Sequence, residues 1–335
     1  MRRFTPFLTI CLITMESSAQ QVQLLHEGSG ISIRGLSVVK NDVVWVSGNK
    51  GTVGRSLDGG TSWQWMTVPG YENRDFRDVE AFDASTAVIM AVGEPAIILQ
   101  TVDGGKRWKA VYTNDTPGMF LDAMEFWNGQ SGIVLGDPVG GKFFVARTFD
   151  GGSNWRAIAP ENAPAADSGE ACFAASGTNV RALARDEACF ISGGSKSRFF
   201  KRDKSNAMPI VQGSETAGAN SIAVWYRGRS RSIVVAVGGD FAKDSSTENT
   251  ACISFDEGEN WELAASPPSG YRSCVEFITR KRLVTCGLNG VDVSEDQGRT
   301  WRRISDTGFH VCRKSSKGKV VFLAGSDGRI ARLAW

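Results

Sequence analysis

Five times the chain repeats one phrase: a polar residue, any residue, Asp, a turn usually built on glycine, and a Trp five positions beyond the Asp. The copies occupy residues 56–63, 101–108, 148–155, 254–261 and 294–301, with Asp58, Asp103, Asp150, Asp256 and Asp296 as the shared acid and Trp63, Trp108, Trp155, Trp261 and Trp301 as the shared indole. A phrase returning at such intervals marks a repeat architecture, in which each copy is one supersecondary unit. Each lies between short runs of β-forming residues, such as 52–55 before the first copy and 63–68 after it. That layout predicts a β-hairpin with the Asp-Gly-Gly stretch as its turn. The Asp side chain can accept from backbone N–H groups just beyond it, Gly supplies positive φ, and Trp brings a large apolar surface to the next strand. Recurrent Asp and Gly also occur in calcium loops. Here the alternating acids and closing Glu of such a loop are absent, so the aspartates are read as architectural and no metal is expected.

The gaps between the Trp residues are 45, 47, 106 and 40, and the long one is twice 53. A worn sixth copy is therefore expected inside it, and Lys201-Arg202-Asp203-Lys204-Ser205-Asn206, with Gly and Trp lost, stands at the right place. Beyond Trp301 come three strand-like runs at 310–314, 319–324 and 329–333, one short of a four-stranded unit, while residues 21–26 form an orphan strand before the first copy. Pairing that strand with the last three closes a ring and covers an edge. The expected fold is all-β, a seven-bladed propeller closed by its N-terminal strand.

The phrase resembles the Asp-box, or bacterial neuraminidase, repeat. Its Asp-Gly-Gly-x-x-Trp form is most similar to the photosystem II stability and assembly factor family, and the resemblance covers nearly the whole mature chain. It implies a propeller and leaves activity open, because sialidases, other glycosidases, sortilin-like receptors and assembly factors all carry the repeat.

With 335 residues, 41% of them hydrophobic and 22% charged, the chain has the composition of an ordinary globular protein. A net charge of +2 gives no footprint for nucleic acid, whose capture rests on many phosphate contacts. Residues 1–19 read as a signal peptide: Arg2 and Arg3, an apolar run too short to span a bilayer, and Ser17-Ser18-Ala19 before a cut. Residues 20–335 then form one propeller domain, exported to a periplasmic or extracellular space, monomeric, with no stable membrane insertion and no lipid anchor. Six cysteines remain after the cut: Cys172, Cys189, Cys252, Cys274, Cys286 and Cys312. An exported protein permits disulfides, and Cys172–Cys189, Cys274–Cys286 and Cys274–Cys312 are the pairs to weigh. The alternative is six buried small hydrophobes. Their spacing suits no zinc motif. No cofactor is expected, since no nucleotide loop has the strand–loop–helix context and only His26 and His310 are available to a haem or metal.

In a propeller the Asp-box turns lie on one face, and the irregular loops, where binding residues usually sit, lie on the other. Aligned by a leading aromatic or apolar residue, the inner strands read Ile33-Arg34, Phe76-Arg77, Phe120-Leu121, Gly169-Glu170, Ala219-Asn220, Tyr271-Arg272 and Phe309-His310. The second members are expected to ring the channel mouth, with Arg74, Asp75, Asp122 and Asp137 nearby. Mutual ion pairing is one use for such a ring. The other is a forked anion site built on Arg34, Arg77 and Arg272 with Glu170 and His310, serving a carboxylate or an acidic segment of a partner protein. Glu125 and Glu276 stand four residues further along their strands and are the candidate catalytic pair of the alternative, a sialidase-like or other glycoside hydrolase acting on a glycan at the same face. Against it, the Phe-Arg-Ile-Pro segment of sialidases is missing and only Tyr71 and Tyr271 fall near the rim. The favoured reading is a non-catalytic binding or assembly scaffold.

Overall fold

The computed structural model describes the backbone of residues 20–227 and 230–334, and their side chains apart from those of 185, 227, 230 and 231. Residues 1–19, read from the sequence as a signal peptide, lie outside the described residues. Seven sheets are present. Blade 1 runs from Ile33–Val38 at the channel to Gln64–Thr67 outside, blade 2 from Phe76–Ala81 to Lys109–Asn114, and blade 3 from Leu121–Phe126 to Arg156–Ala157. Blade 4 runs from Val180–Ala182 to Lys204–Ala207, blade 5 from Ala217–Arg227 to Glu262–Leu263, and blade 6 from Cys274–Phe277 to Arg302–Ser305. Blade 7 has three strands from the C-terminal end, Val311–Lys314, Val321–Ala324 and Ile330–Ala334, and its outer strand is Gln21–His26. Gln21 pairs with Ala334 and Leu24 with Ala331, so the ring is closed by the two ends of the chain as expected. The worn repeat is the hairpin Arg198–Lys201 and Lys204–Ala207, its turn made with Arg202 at φ 57°. Among the described residues no helix is long and apolar enough to cross a membrane.

The five intact phrases fold alike. In the first, the Ser62 amide donates to Asp58 Oδ1 at 2.8 Å, and Ser56 Oγ donates to Asp58 while accepting from the Gly60 amide at 2.8 Å. The same bonds recur around Asp103, Asp150, Asp256 and Asp296. The Asp thus closes the turn with its own carboxylate. The two residues after it are left-handed: Gly59 and Gly60 at φ 70° and 85°, but Gln297 and Gly298 at 71° and 92°. The second position admits no side chain, since a Cβ on Gly258 would come within 2.2 Å of the Phe199 ring. Each indole packs toward the preceding blade. Trp261 meets Phe199 at 5.5 Å, Trp108 meets Trp45 edge-on at 6.4 Å, and Trp63, Trp155, Trp261 and Trp301 donate to the carbonyl of the turn's second residue.

All six cysteines among the described residues are free and buried. Cys274 does lie opposite Cys286, but Cys189 lies opposite Arg181 and not opposite Cys172. They act as the small hydrophobes of the second reading; burial pushes the Cys189 thiol up to about 12.

Candidate functional site: an arginine cup above a plugged channel

Four blades carry the same irregularity at the entrance of the inner strand. Ile33 pairs with Gly48 and Gly35 with Ser47, leaving Arg34 as an extra residue; Arg77, Asp122 and Asn220 are the extra residues in blades 2, 3 and 5. A β-bulge re-aims one side chain without disturbing the rest of the strand. In blade 3 this corrects the expected ring by one position: Leu121 is fully buried in the core and Asp122 is the equivalent of Arg34 and Arg77.

Two further positions differ from expectation. The segment Glu170–Ala171 pairs with Gly193–Gly194, which in turn joins blade 5 through Gly218, so the inner strand of blade 4 begins only at Val180. Glu170 is consequently turned away from the mouth, where it accepts from Arg198 Nε at 2.8 Å and from Ser192. Arg272 is fully buried: its Nε donates to Asp292 at 2.6 Å and its Nη1 to Asn289 and the Tyr271 carbonyl, both at 2.7 Å. The inner strand of blade 6 begins only at Cys274, two residues beyond Arg272; Arg272 turns into the core while Tyr271 and Ser273 line the mouth. Arg74 is also occupied, donating to the carbonyls of Val92, Gly93 and Glu94 at 3.0–3.3 Å.

The eight residues between Ala171 and Val180 cross the channel. Ala175 O accepts from Arg34 at 3.1 Å, Gly177 O from Arg313 at 3.1 Å and Thr178 O from the Ile222 amide at 3.0 Å, while Ser176 Oγ donates to Ser273 O at 2.7 Å. A side chain at Gly177 would collide with Asp78, its Cβ 2.4 Å from the carboxylate. This plug divides the passage into two cups.

The cup on the loop face holds a cavity of about 480 Å³, with Arg34, Arg77, Asp137, Asn220, Tyr271 and His310 among its lining and Phe173, Phe241 and Leu288 as its apolar part. Phe241 and Leu288 are each 42% exposed, so the apolar shelf opens to solvent. Arg77 is paired with Asp75 at 2.7 Å. Among the described residues no carboxylate lies within ion-pair distance of Arg34; its guanidinium meets only the plug carbonyl, and burial together with Arg77 beside it lowers its pKa. His310 Nδ1 donates to Ile33 O at 2.9 Å, and burial plus Arg34 push its pKa down to about 4, which leaves it neutral.

Glu125 and Glu276 lie in the other cup, on the Asp-box face. Both meet one guanidinium, Arg181 Nη1 to Glu125 at 3.2 Å and Nη2 to Glu276 at 3.3 Å, with Glu80 and Arg313 alongside. Burial drives the Glu276 pKa up to about 7, opposed by Arg181. Three strand residues separate Glu125 from Asp122 at the arginine level, about 10 Å of chain. The plug lies between, so the arginines and the two glutamates do not share a substrate space. Among the described residues no group of side chains is arranged to hold a metal.

Residues 14–331 match the family described as photosynthesis system II assembly factor YCF48. The chain belongs to this family. Among solved structures it is similar to "YCF48 bound to D1 peptide", at 19% identity over 96% of both chains with a TM-score of 0.65. It is also similar to YCF48 from Cyanidioschyzon merolae, at 16% identity over 94% of this chain and 98% of that one, TM-score 0.63. The WD40 propeller of Doa1 has the same TM-score, 0.63, at 12% identity over 94% and 97% of the two chains. These likenesses are of fold. No curated protein matches the sequence. The bulge register, the plug and the inward turn of Arg272 are the features of this YCF48-family site that sequence reading missed. Only the small, weakly β-forming residues 171–179 after Glu170 hinted at an interrupted inner strand.

Proposed function

We propose that the chain is a non-catalytic assembly scaffold that captures an acidic segment of a partner protein in the Arg34–Arg77 cup. The observation that carries this reading is Arg34: a largely buried guanidinium with no carboxylate partner among the described residues, facing a cavity beside a second arginine. An anion arriving there replaces lost hydration with charge-assisted hydrogen bonds, and Arg is suited to bind carboxylates bidentately. The Phe241–Leu288 shelf offers apolar contact to the residues flanking that anion. Membership of an assembly-factor family supports a protein ligand, and one family structure is described as bound to a D1 peptide. We read the chain as exported, from the basic and apolar start of its sequence.

The test is fluorescence anisotropy of a labelled acidic peptide. Arg34→Glu with Arg77→Glu is expected to weaken binding at least thirtyfold, about 2 kcal/mol, because two charge-assisted contacts become repulsive. Arg272→Leu is the contrast: it strands Asp292 in the core and costs about 3–5 kcal/mol of stability. Unchanged affinity in the double Glu variant sinks the proposal. The hydrolase alternative loses ground because Glu125 and Glu276 are committed to Arg181 on the far side of the plug.

A further inference from the structure

The cup on the Asp-box face carries more acid than its own cations hold. The penultimate residues of six inner strands, Ser37, Glu80, Glu125, Arg181, Glu276 and Arg313, line one cavity of about 370 Å³ there. Both arginines are committed. Arg181 holds Glu125 and Glu276 and gives its Nε to the Ile222 carbonyl at 2.8 Å, while Arg313 Nη2 donates to the plug at Gly177 O. Glu80 is left over. Among the described residues its carboxylate forms no hydrogen bond, and its one ion-pair contact, to Arg313, is stretched to 4.0 Å. Two positions back on the same strand face Asp78 is fully buried, accepting from the Val79 amide at 2.9 Å and the Met124 amide at 2.7 Å. Lys314 is the remaining cation of the lining, and among the described residues no acid lies within ion-pair distance of it.

A second observation points to a ligand that donates. Ser315, in the wall of the same cavity, is 1% exposed, and its Oγ has no hydrogen-bond partner among the described residues. The apolar part of the lining is Leu36 with Trp225 and Phe277, whose rings are 5.8 Å apart. An underpaired carboxylate, an open hydroxyl and aromatic surface are the complement of a lysine side chain, which brings an apolar stem and three N–H donors on one charge. Burial and the neighbouring Glu125 raise the Glu80 pKa, so the empty cup keeps a proton where a cation would sit. A bare metal ion fits less well, since among the described residues no group of side chains is arranged to hold one.

We propose that this cup is a second binding site, taking the ammonium group of a lysine side chain presented by a partner protein, with Glu80 as its principal acceptor. The ring then meets opposite charges on its two faces, and the plug keeps the two sites independent.

The experiment measures binding of a labelled tri-lysine peptide to the protein at pH 7 and low ionic strength by fluorescence anisotropy, with the side-chain-acetylated peptide as the uncharged control. The wild type is expected to prefer the charged peptide about tenfold or more. Glu80→Gln is expected to lose about tenfold, and Lys314→Ala to gain about two- to fivefold as a like charge leaves the mouth. Glu161→Gln, which removes an exposed acid in the link after the outer strand of blade 3, is expected to bind as the wild type does. A Glu80→Gln variant that melts like the wild type and still binds at full strength overturns the site; should that variant fail to fold, absence of any gain in Lys314→Ala overturns it instead. Equal binding of the acetylated peptide, an equal loss in Glu161→Gln, or full displacement by millimolar magnesium at constant ionic strength also overturns it, the last in favour of an inorganic cation. None of these outcomes touches the Arg34 cup, whose acidic-peptide measurement is separate.

Discussion

Phe190 and Phe200 lie face to face on neighbouring strands of blade 4, ring centroids 4.4 Å apart and planes within 1° of parallel. Phe143 of blade 3 meets both edge-on at 5.2 Å. This cluster stands at the seam where the worn repeat has lost its Trp, and it replaces one inter-blade indole with three phenyl rings. Phe200→Ala empties a site that is 4% exposed and is expected to cost about 3–5 kcal/mol in chemical denaturation. A loss under 1 kcal/mol would show that the seam is held by something else.

The left-handed turn residues make a second prediction with the opposite sign. Gln297 holds φ 71° where three of the five copies have Gly. A non-glycine residue in that conformation costs about 1–2 kcal/mol, partly offset by the extra freedom glycine has when unfolded. Gln297→Gly is expected to stabilise the protein by about 0.5–1 kcal/mol, since the bond from its amide to Lys281 O is retained. Gly298→Ala should destabilise it, because φ 92° and Val235 at 3.2 Å oppose a Cβ. Thermal melts of the two variants read both signs.

The acidic cup on the Asp-box face makes stability depend on pH. Burial raises Asp78 and Glu276 to about 7, so the folded state holds protons that the unfolded chain gives up near pH 4. Their contribution is complete below that unfolded value and is lost as pH rises through about 7. The melting temperature is expected to fall between pH 5 and pH 8, and Glu276→Gln, which keeps a polar oxygen toward Arg181, should flatten the decline. The Asp-box acids act the other way. Hydrogen bonds from Ser62 and Ser56 hold Asp58 down at about 2, so its contribution disappears only as pH falls from the usual carboxylate range through that value. An increase in melting temperature toward pH 8 would contradict the assignment of the buried acids.

The legible part of this protein was whatever depends on near neighbours in the chain. Asp58, Gly60 and Trp63 lie within six residues of one another, their bonds close inside one hairpin, and repetition makes them visible. From that period followed the blade number, the worn copy at 201–206, and the closure of the ring by residues 21–26. The site was decided by non-local geometry. A bulge changes which face a residue takes without any change in residue type, so Asp122 and Leu121 exchanged places; Arg272, ahead of the inner strand of its blade, turned into the core toward Asp292. The plug from 172 to 179 is polar and small, unremarkable as a string, and becomes a channel stopper only because inner strands of five other blades meet it. Local hydrogen bonding and burial period are written into sequence order; the aim of a side chain at the axis of a ring depends on strand register, which is settled only when all seven blades pack together.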